Sequence, residues 1–244
     1  MGISIQKELY KLAHKKKYIV MLILVLLVLV IRYGMSYAIT RLTQGQVTIH
    51  TNLPFEILPI LTDLFVPIVM FMAVTDLIAE GIREDTLKAD FMRPITREGL
   101  LFSKVIAVMV LSMIYMITIY IAAALMQVLT GGGYRHMGMT FAAYLIDIVP
   151  LVNIILLAVI VNLFTEKPAL SMLLCLAVYA ALKYFSIYGG NVSSMLFTSY
   201  LRWHTLVIGS SLPIGALLGK LGIIFGTMII FGSAAVVLID RKNI

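Results

Sequence analysis

Five charged residues lie within long apolar runs of this sequence, and they are the side chains best placed there to do chemistry. They are Arg32, Asp63, Asp147, Lys183 and Lys220. A charge that faces lipid is costly, so such residues usually point into a helix bundle and pair with an opposite charge. We therefore expect Asp63 and Asp147 to neutralise two of the three cations, and we hypothesise that these pairs fasten the outer end of a transport path. The alternative is that the three cations extend to lipid headgroups.

Residues that usually carry covalent, metal or phosphate chemistry are few and scattered. The single cysteine, Cys175, lies inside an apolar run, which excludes an internal disulfide or a cysteine cluster. The four histidines have no spacing that suits a metal on one helix: His14, His50, His136 and His204. No GxxxxGK[ST] motif is present to hold a nucleotide phosphate. We predict no catalytic residue, no metal site and no cofactor in this chain.

The composition indicates the elements that must position the five charges. Of the 244 residues, 61% are hydrophobic and 13% are charged, whereas soluble domains carry about 25% charged residues. The apolar residues form runs of about 20 or more, the length that a membrane-spanning helix needs. Despite a net charge of +7, the basic residues flank these runs and form no continuous basic face, so we predict membrane lipid and no nucleic acid as a partner. The sequence predicts an all-α integral membrane protein.

Six membrane-spanning helices are predicted from the apolar runs. They cover residues 18–39, 55–79, 102–129, 140–163, 169–188 and 213–239. Most lysines and arginines precede the first span, separate the second from the third and the fourth from the fifth, or follow the sixth. Because short cytoplasmic segments retain these residues, we expect a multi-pass protein with both termini in the cytoplasm.

Residues 1–17 have the pattern of an amphipathic helix. Apolar residues recur at near-helical spacing: Ile3, Ile5, Leu9 and Leu12. Charged residues take the other side: Lys7, Glu8, Lys11 and Lys15. The pattern predicts a short helix on the inner membrane surface with its lysines toward anionic headgroups. The alternative is a basic anchor that only fixes the topology.

Two segments in the second half of the chain have unusual composition. Residues 189–212 are apolar for a loop, and we expect them on the exterior side, partly re-entrant into the membrane. Four glycines in the sixth span form two GxxxG pairs: Gly215, Gly219, Gly222 and Gly226. Such pairs allow close helix packing, either within the chain or against a second copy.

The segment between the second and third spans mixes acidic and basic residues. A helix over 82–92 would place Leu87, Phe91 and Met92 on one apolar face, and Pro94 would end it. A short surface helix with an apolar patch and exposed charges suits a cytoplasmic protein partner, and Asp76 is placed to anchor it. The alternative is a solvated loop with only topological meaning.

This segment resembles the coupling segment of ABC-2-type transporter permeases. The matching residues are Glu80, Gly81, Glu84, Thr86, Leu87, Lys88, Arg93, Pro94, Ile95, Thr96, Arg97 and Lys104. The sequence departs from the family pattern at Asp85, which stands in place of a glycine, and at Ala89 and Asp90, which stand in place of an aliphatic pair. The layout of an amphipathic helix followed by six spans is also similar to small bacterial permeases of this family, including exporters of peptides and antimicrobial peptides.

The resemblance implies one transmembrane domain over residues 1–244, with a cytoplasmic coupling segment at 80–101. It implies a non-catalytic half-transporter in the bacterial plasma membrane, working with a second permease chain, identical or paralogous, and two ABC ATPase subunits that bind ATP and Mg²⁺. The residues it assigns to ATPase contact are Glu84, Thr86, Leu87, Lys88, Phe91 and Arg93. The expected function is ATP-driven export of peptides or other amphipathic or hydrophobic compounds, and the 15 methionines favour such adaptable cargo. The alternative is an ion-driven secondary transporter or channel without an ATPase.

Overall fold

The computed structural model describes residues 2–42, 52–84, 96–129, 137–165, 167–207 and 214–241. In these ranges every regular element is helical. The α-helices are α1 (Gly2–Ala13), α2 (Lys16–Leu42), α3 (Leu53–Ile60), α4 (Val66–Leu77), α5 (Ala79–Arg83), α6 (Arg97–Leu129), α7 (Met137–Ile146), α8 (Ile148–Phe164), α9 (Pro168–Tyr188), α10 (His204–Val207) and α11 (Ile214–Arg241). A π-helical turn (Leu61–Phe65) joins α3 to α4, and two 3-10 helices (Gly190–Met195 and Phe197–Tyr200) follow α9.

Six helical segments in the described ranges are long and apolar enough to cross a membrane. They are Lys16–Ile39, Leu53–Arg83, Arg97–Leu129, Met137–Phe164, Pro168–Tyr188 and Leu217–Arg241. Each overlaps one of the six predicted spans, with bounds that differ by a few residues. The predicted all-α membrane fold is confirmed.

The bundle has two ends, which we name by what they carry. The α1 end holds α1, the end of α5, the start of α6 and the end of α11, where the Arg97 guanidinium donates to the carbonyls of Ile239 and Asp240. The far end holds the start of α3 and residues 190–207, and there the Tyr144 hydroxyl donates to the Pro54 carbonyl at 2.8 Å. The first and last helices of the described chain therefore have their outer termini at the same end.

Helix α8 lies at the centre of the bundle. Residues 151–159 are all buried, and α8 packs against α4, α6, α9 and α11. A helix that is apolar on every side suits a position inside a bundle or within a membrane, and α8 lies inside the bundle. Asn153 links it to α11 through a 3.2 Å hydrogen bond to the Ile224 carbonyl, and such interhelical bonds help hold transmembrane helices together.

Prolines interrupt two spans next to their aspartates. Asp63 lies in the π-helical turn, and Pro67, four residues later, has no N–H to donate to the Asp63 carbonyl. The Tyr179 hydroxyl of α9 donates to that carbonyl instead, at 2.7 Å. Asp147 lies at the break between α7 and α8, where Pro150 removes an N–H from the helical ladder. The local sequence therefore opens the helix at both aspartates, and π-helical turns are frequent at functional sites.

Helix α1 buries one carboxylate, which corrects the predicted amphipathic pattern. The pattern placed Glu8 on the charged side, but Glu8 is 1% exposed and shares the buried face with Leu12. The prediction was wrong at this residue because α1 packs against α6, which supplies a cation to Glu8. The location of α1 on the membrane surface stays a prediction.

The glycines of α11 make no close contact within the described chain. A Cβ built at Gly215, Gly219, Gly222 or Gly226 meets no atom within 4 Å. Of the two alternatives, close packing of these glycines within the described part of the chain is not observed. Among the described residues, the glycine face of α11 is open.

Candidate functional site

A cluster of charged side chains joins the start of α2 to the end of the second span. Lys15 contacts Glu80 and also Asp76, with Nζ 3.3 Å from Asp76 Oδ2. Lys17 pairs with Asp76 Oδ1, and the Tyr18 hydroxyl donates to Asp76 Oδ2 at 2.7 Å. We call these five residues the flank cluster, because it stands directly before the predicted coupling segment.

The flank cluster is partly desolvated, which strengthens its ion pairs. The Asp76 side chain is 6% exposed, whereas those of Lys15 and Lys17 are about one-third to two-fifths exposed. Partial burial acts to lower the pKa of Lys15, but hydrogen bonds and charge attraction from Glu80 and Asp76 outweigh it and raise the pKa. The Lys15 ammonium is therefore charged at neutral pH, and its stabilising contribution is lost only as the pH rises through the raised pKa.

A second ion pair joins α1 to the start of α6. The Lys104 ammonium lies 3.3 Å from Glu8 Oε1, and the two side chains are 4% and 1% exposed. Lys11 lies 3.8 Å from the other Glu8 oxygen, Oε2. An almost fully buried pair of this kind holds two helices in one relative position, because each charge has lost its hydration and separating the two would remove much of the attraction that compensates for that loss.

Together these contacts tie α1 and the start of α2 to both flanks of residues 85–95. Asp76 and Glu80 precede that segment, and Lys104 follows it. The second span, the third span and α1 are therefore linked to one another by ion pairs close to both sides of this segment.

The residues predicted to contact an ATPase are only partly described. Glu84 follows α5, is exposed and has Oε1 3.3 Å from Arg83 Nη2. The other five lie outside the described residues: Thr86, Leu87, Lys88, Phe91 and Arg93.

Asp63 is the centre of a charged cluster at the far end. Lys183 Nζ of α9 lies 2.7 Å from Asp63 Oδ1. Arg202 approaches the other oxygen, Oδ2, with Nη2 at 2.6 Å and Nε at 2.8 Å. The structure thus brings together Asp63 and Lys183, two of the five residues singled out from the sequence, and adds Arg202.

Asp147 contacts a histidine and not one of the three cations named with it. The backbone N–H of His204 donates to Asp147 Oδ1 at 2.7 Å, and His204 Nδ1 lies 2.6 Å from Oδ2. Both side chains are 0% exposed, and the Phe55 ring packs edge-on against the imidazole. The expected pairing of Asp147 with a lysine or arginine was wrong, because residues 190–207 fold back onto the break between α7 and α8.

The remaining two cations have other neighbours. Arg32 Nη2 lies 3.7 Å from Glu56 Oε2 at the start of the second span. The Lys220 ammonium lies 5.9 Å from the centre of the Tyr200 ring, within the range of a cation–π contact. Neither residue belongs to the clusters around Asp63 and Asp147.

Comparison with protein families identifies the chain. Residues 4–183 match the family described as ABC-2 family transporter protein, and this range includes α1, the first four spans and most of the fifth. The chain belongs to the ABC-2 transporter family. A separate comparison with curated proteins found no match.

Membership accounts for the broad properties of the permease. It is a multi-pass transmembrane subunit of an ABC transporter, and permeases of this family typically work with an ABC ATPase. Membership in the family indicates a non-catalytic transmembrane subunit.

Several site residues of the permease were not singled out from the sequence. Arg202 and His204 were assigned to a loop, and Glu8 was assigned to an exposed face. The sequence signal for Arg202 and His204 was their position in a loop rich in apolar residues, which indicates that the loop packs against the bundle. Three apolar residues of that loop are buried: Phe197, Leu201 and Trp203. Sequence spacing does not show contacts across more than 50 residues, such as that of His204 with Asp147.

The Asp147 and His204 pair should be strongly coupled in the folded permease. In a double-mutant cycle of Asp147→Ala and His204→Ala, we expect a coupling energy of about 1–3 kcal/mol. The physical reason is that each single change leaves a buried polar partner unsatisfied. The measurement is unfolding of the purified permease in mild detergent. Asp240→Ala, an exposed change at the opposite end, combined with His204→Ala should be additive within about 0.5 kcal/mol, and equal coupling in both cycles would contradict the assignment.

Proposed function

We propose that this chain is the permease subunit of an ATP-driven exporter in a bacterial plasma membrane, with the α1 end in the cytoplasm. In this proposal residues 80–101 form the coupling segment, and an ABC ATPase docks on it through Glu84, Thr86, Leu87, Lys88, Phe91 and Arg93. The observation that carries the proposal is that buried or partly buried ion pairs link α1 and the start of α2 to both flanks of residues 85–95. A solvated loop needs no such bracing.

The ion pairs offer a route for energy transfer. When two ATPase subunits close on ATP and Mg²⁺, a docked segment moves with them as a rigid body. The flank cluster passes this movement to α2 and the second span, and Glu8 with Lys104 passes it to the third span. The spans then change their relative positions with no chemical step in the permease itself.

The far end is the outer closure of the path in this proposal. Asp63 holds both Lys183 and Arg202, so it fastens the fifth span and residues 190–207 to the second span. Asp147 holds His204 of the same segment to the fourth span. Each contact joins residues of different helices, and an outer gate needs contacts of this kind to keep the helices together.

A second permease chain completes the transporter in this proposal, as an identical copy or a paralogue. The open glycines of α11 and the exposed apolar residues of α2 and α9 support it, because these helices are the least covered in the described chain. The proposed cargo is a peptide or another amphipathic or hydrophobic compound, which a path rich in methionine suits.

Neutralising the Asp63 charge should weaken transport without preventing insertion. We expect Asp63→Asn to lower transport about fivefold, because Lys183 and Arg202 each lose a charged partner and the outer end no longer closes as firmly. The matched control is Glu56→Gln on the same span, whose contact with Arg32 is longer at 3.7 Å. Transport is measured in membrane vesicles at equal permease content. Unchanged transport by Asp63→Asn would remove the outer-gate assignment.

An ion-driven carrier is the second candidate, favoured by the two aspartates inside the spans. The two candidates differ in their energy source. In inside-out vesicles carrying the permease and its ATPase, an exporter takes up an amphipathic fluorescent peptide on addition of ATP, and an ionophore does not stop it. If the ionophore abolished uptake and ATP did not drive it, the ATP-driven assignment would be rejected.

A further inference from the structure

A small pocket lies at the α1 end, next to the flank cluster. It has a volume of about 210 Å³, below the range of about 300–1,000 Å³ that drug-sized ligands occupy. Four charged residues line it, Lys17, Asp76, Glu80 and Arg83, together with Thr75 and the apolar residues Met72, Pro168 and Met172. None of the uses described above explains this pocket.

The pocket lies at the ends of three candidate spans, where lipid headgroups are expected. Lys17 is the second residue of the first span, Arg83 is the last residue of the second, and Pro168 is the first residue of the fifth. The pocket therefore opens between three helix ends, where the apolar segments stop. Met72 and Met172 extend its wall toward the apolar layer, which is where the glycerol and acyl chains of a lipid begin.

The charges of the pocket match a zwitterion. Two cations, Lys17 and Arg83, and two carboxylates, Asp76 and Glu80, line the pocket, and Lys15 contacts both carboxylates from outside the lining. An anionic headgroup would meet both carboxylates, whereas a headgroup with a phosphate and an ammonium meets a partner for each charge. The Arg83 side chain is 56% exposed, and its Nη2 lies 3.3 Å from Glu84 Oε1 and 3.8 Å from Glu80 Oε1, so a phosphate can approach the exposed part of the guanidinium.

Thr75 provides an independent sign of a ligand. Its residue is 5% exposed, and its Oγ1 is buried without a hydrogen-bond partner. Three other threonines in the spans, Thr62, Thr118 and Thr227, each donate to a carbonyl of their own helix. A buried hydroxyl that lines a pocket and satisfies no partner is costly unless a ligand or water accepts its proton.

We propose that this pocket binds the headgroup of phosphatidylethanolamine. The phosphate contacts Lys17, Arg83 and the Thr75 hydroxyl, and the primary ammonium contacts Asp76 and Glu80. Phosphatidylcholine lacks the N–H donors that these carboxylates accept from, and the described lining includes no aromatic ring for a quaternary ammonium. The lipid then braces the flank cluster from the membrane side. The proposal does not depend on ATP coupling.

The test is lipid binding to the purified permease by native mass spectrometry. The permease is titrated with phosphatidylethanolamine, phosphatidylcholine and phosphatidylglycerol of the same acyl chains. We expect phosphatidylethanolamine to bind at least about fivefold more tightly than the other two, and Thr75→Val and Arg83→Gln each to reduce that preference about fivefold. Equal binding of the three lipids, or an unchanged preference in both variants, would overturn the proposal.

Matched controls separate the pocket from general effects of the substitutions. Thr118→Val removes a hydroxyl from another span, and Arg241→Gln removes an exposed arginine at the same end of the bundle. Both should keep the lipid preference, and loss of the preference in them would overturn the assignment to this pocket. Soluble glycerophosphoethanolamine should compete only at far higher concentration than the lipid. Competition at equal concentration would overturn the lipid as the occupant.

Discussion

Glu8→Gln is expected to lower the free energy of unfolding by about 3–5 kcal/mol, the largest stability effect among the changes considered for this permease. The pair of Glu8 and Lys104 is almost fully buried, with side chains 1% and 4% exposed. The substitution removes the carboxylate charge, whose attraction offsets part of the free-energy cost of burying the Lys104 ammonium. The measurement is denaturant unfolding of the purified permease in mild detergent.

Two further variants show whether this loss comes from the buried charge. Glu98→Gln changes an exposed carboxylate in the first turn of α6, and we expect an effect within about 0.5 kcal/mol. The double variant Glu8→Leu with Lys104→Met removes both charges, and it should be more stable than Glu8→Gln alone. If Glu8→Gln were no more destabilising than Glu98→Gln, the bracing of α1 against α6 would be refuted.

Lys15→Glu is expected to lower transport at least about tenfold while the permease still inserts and folds, a coupling change of about 1.4 kcal/mol or more. The substitution places a carboxylate beside Asp76 and Glu80, so attraction between α2 and the second span becomes repulsion. The flank cluster then no longer passes a movement of the coupling segment to α2. The measurement is ATP-dependent transport in vesicles at equal permease content.

Restoring the opposite charge tests the contact itself. Lys15→Glu combined with Glu80→Lys should regain much of the transport, since one attractive pair is formed again. Lys16→Glu is the matched control, because Lys16 is the adjacent residue and is exposed, and we expect it to transport nearly normally. Equal losses for Lys15→Glu and Lys16→Glu would show that only the basic charge of this region matters.

The fold was largely predictable because its signals are local. Each span is a run of apolar residues about as long as a bilayer requires or longer, and several bounds differed where charged residues continue a helix beyond the apolar run. At the second span the helix continues through Asp76 and Glu80 to Arg83, because these residues have partners in the flank cluster. The breaks at Asp63 and Asp147 were not predicted, although Pro67 and Pro150 are visible signals for them.

The charged contacts were less predictable because they join residues far apart in the chain. Charge inside apolar runs correctly drew attention to Asp63 and Asp147, but it did not show that Arg202 and His204 would reach them. That information depends on how residues 190–207 fold back over the bundle. Likewise, the spacing of charged residues placed Glu8 on a solvated face. The packing of α6 beside α1, which buries Glu8, is a tertiary contact that this spacing does not predict.

The central claim is that the segment between the second and third spans couples this permease to an ABC ATPase. The most direct measurement is to purify the full-length permease from its native membrane in mild detergent and identify what co-purifies by mass spectrometry, with and without Leu87→Arg and Phe91→Glu. We expect an ABC-type ATPase with the native chain and its loss with both variants, while the Lys16→Glu control retains it. Absence of an ATPase from the native chain in several detergents, or its full retention by both variants, would contradict the claim.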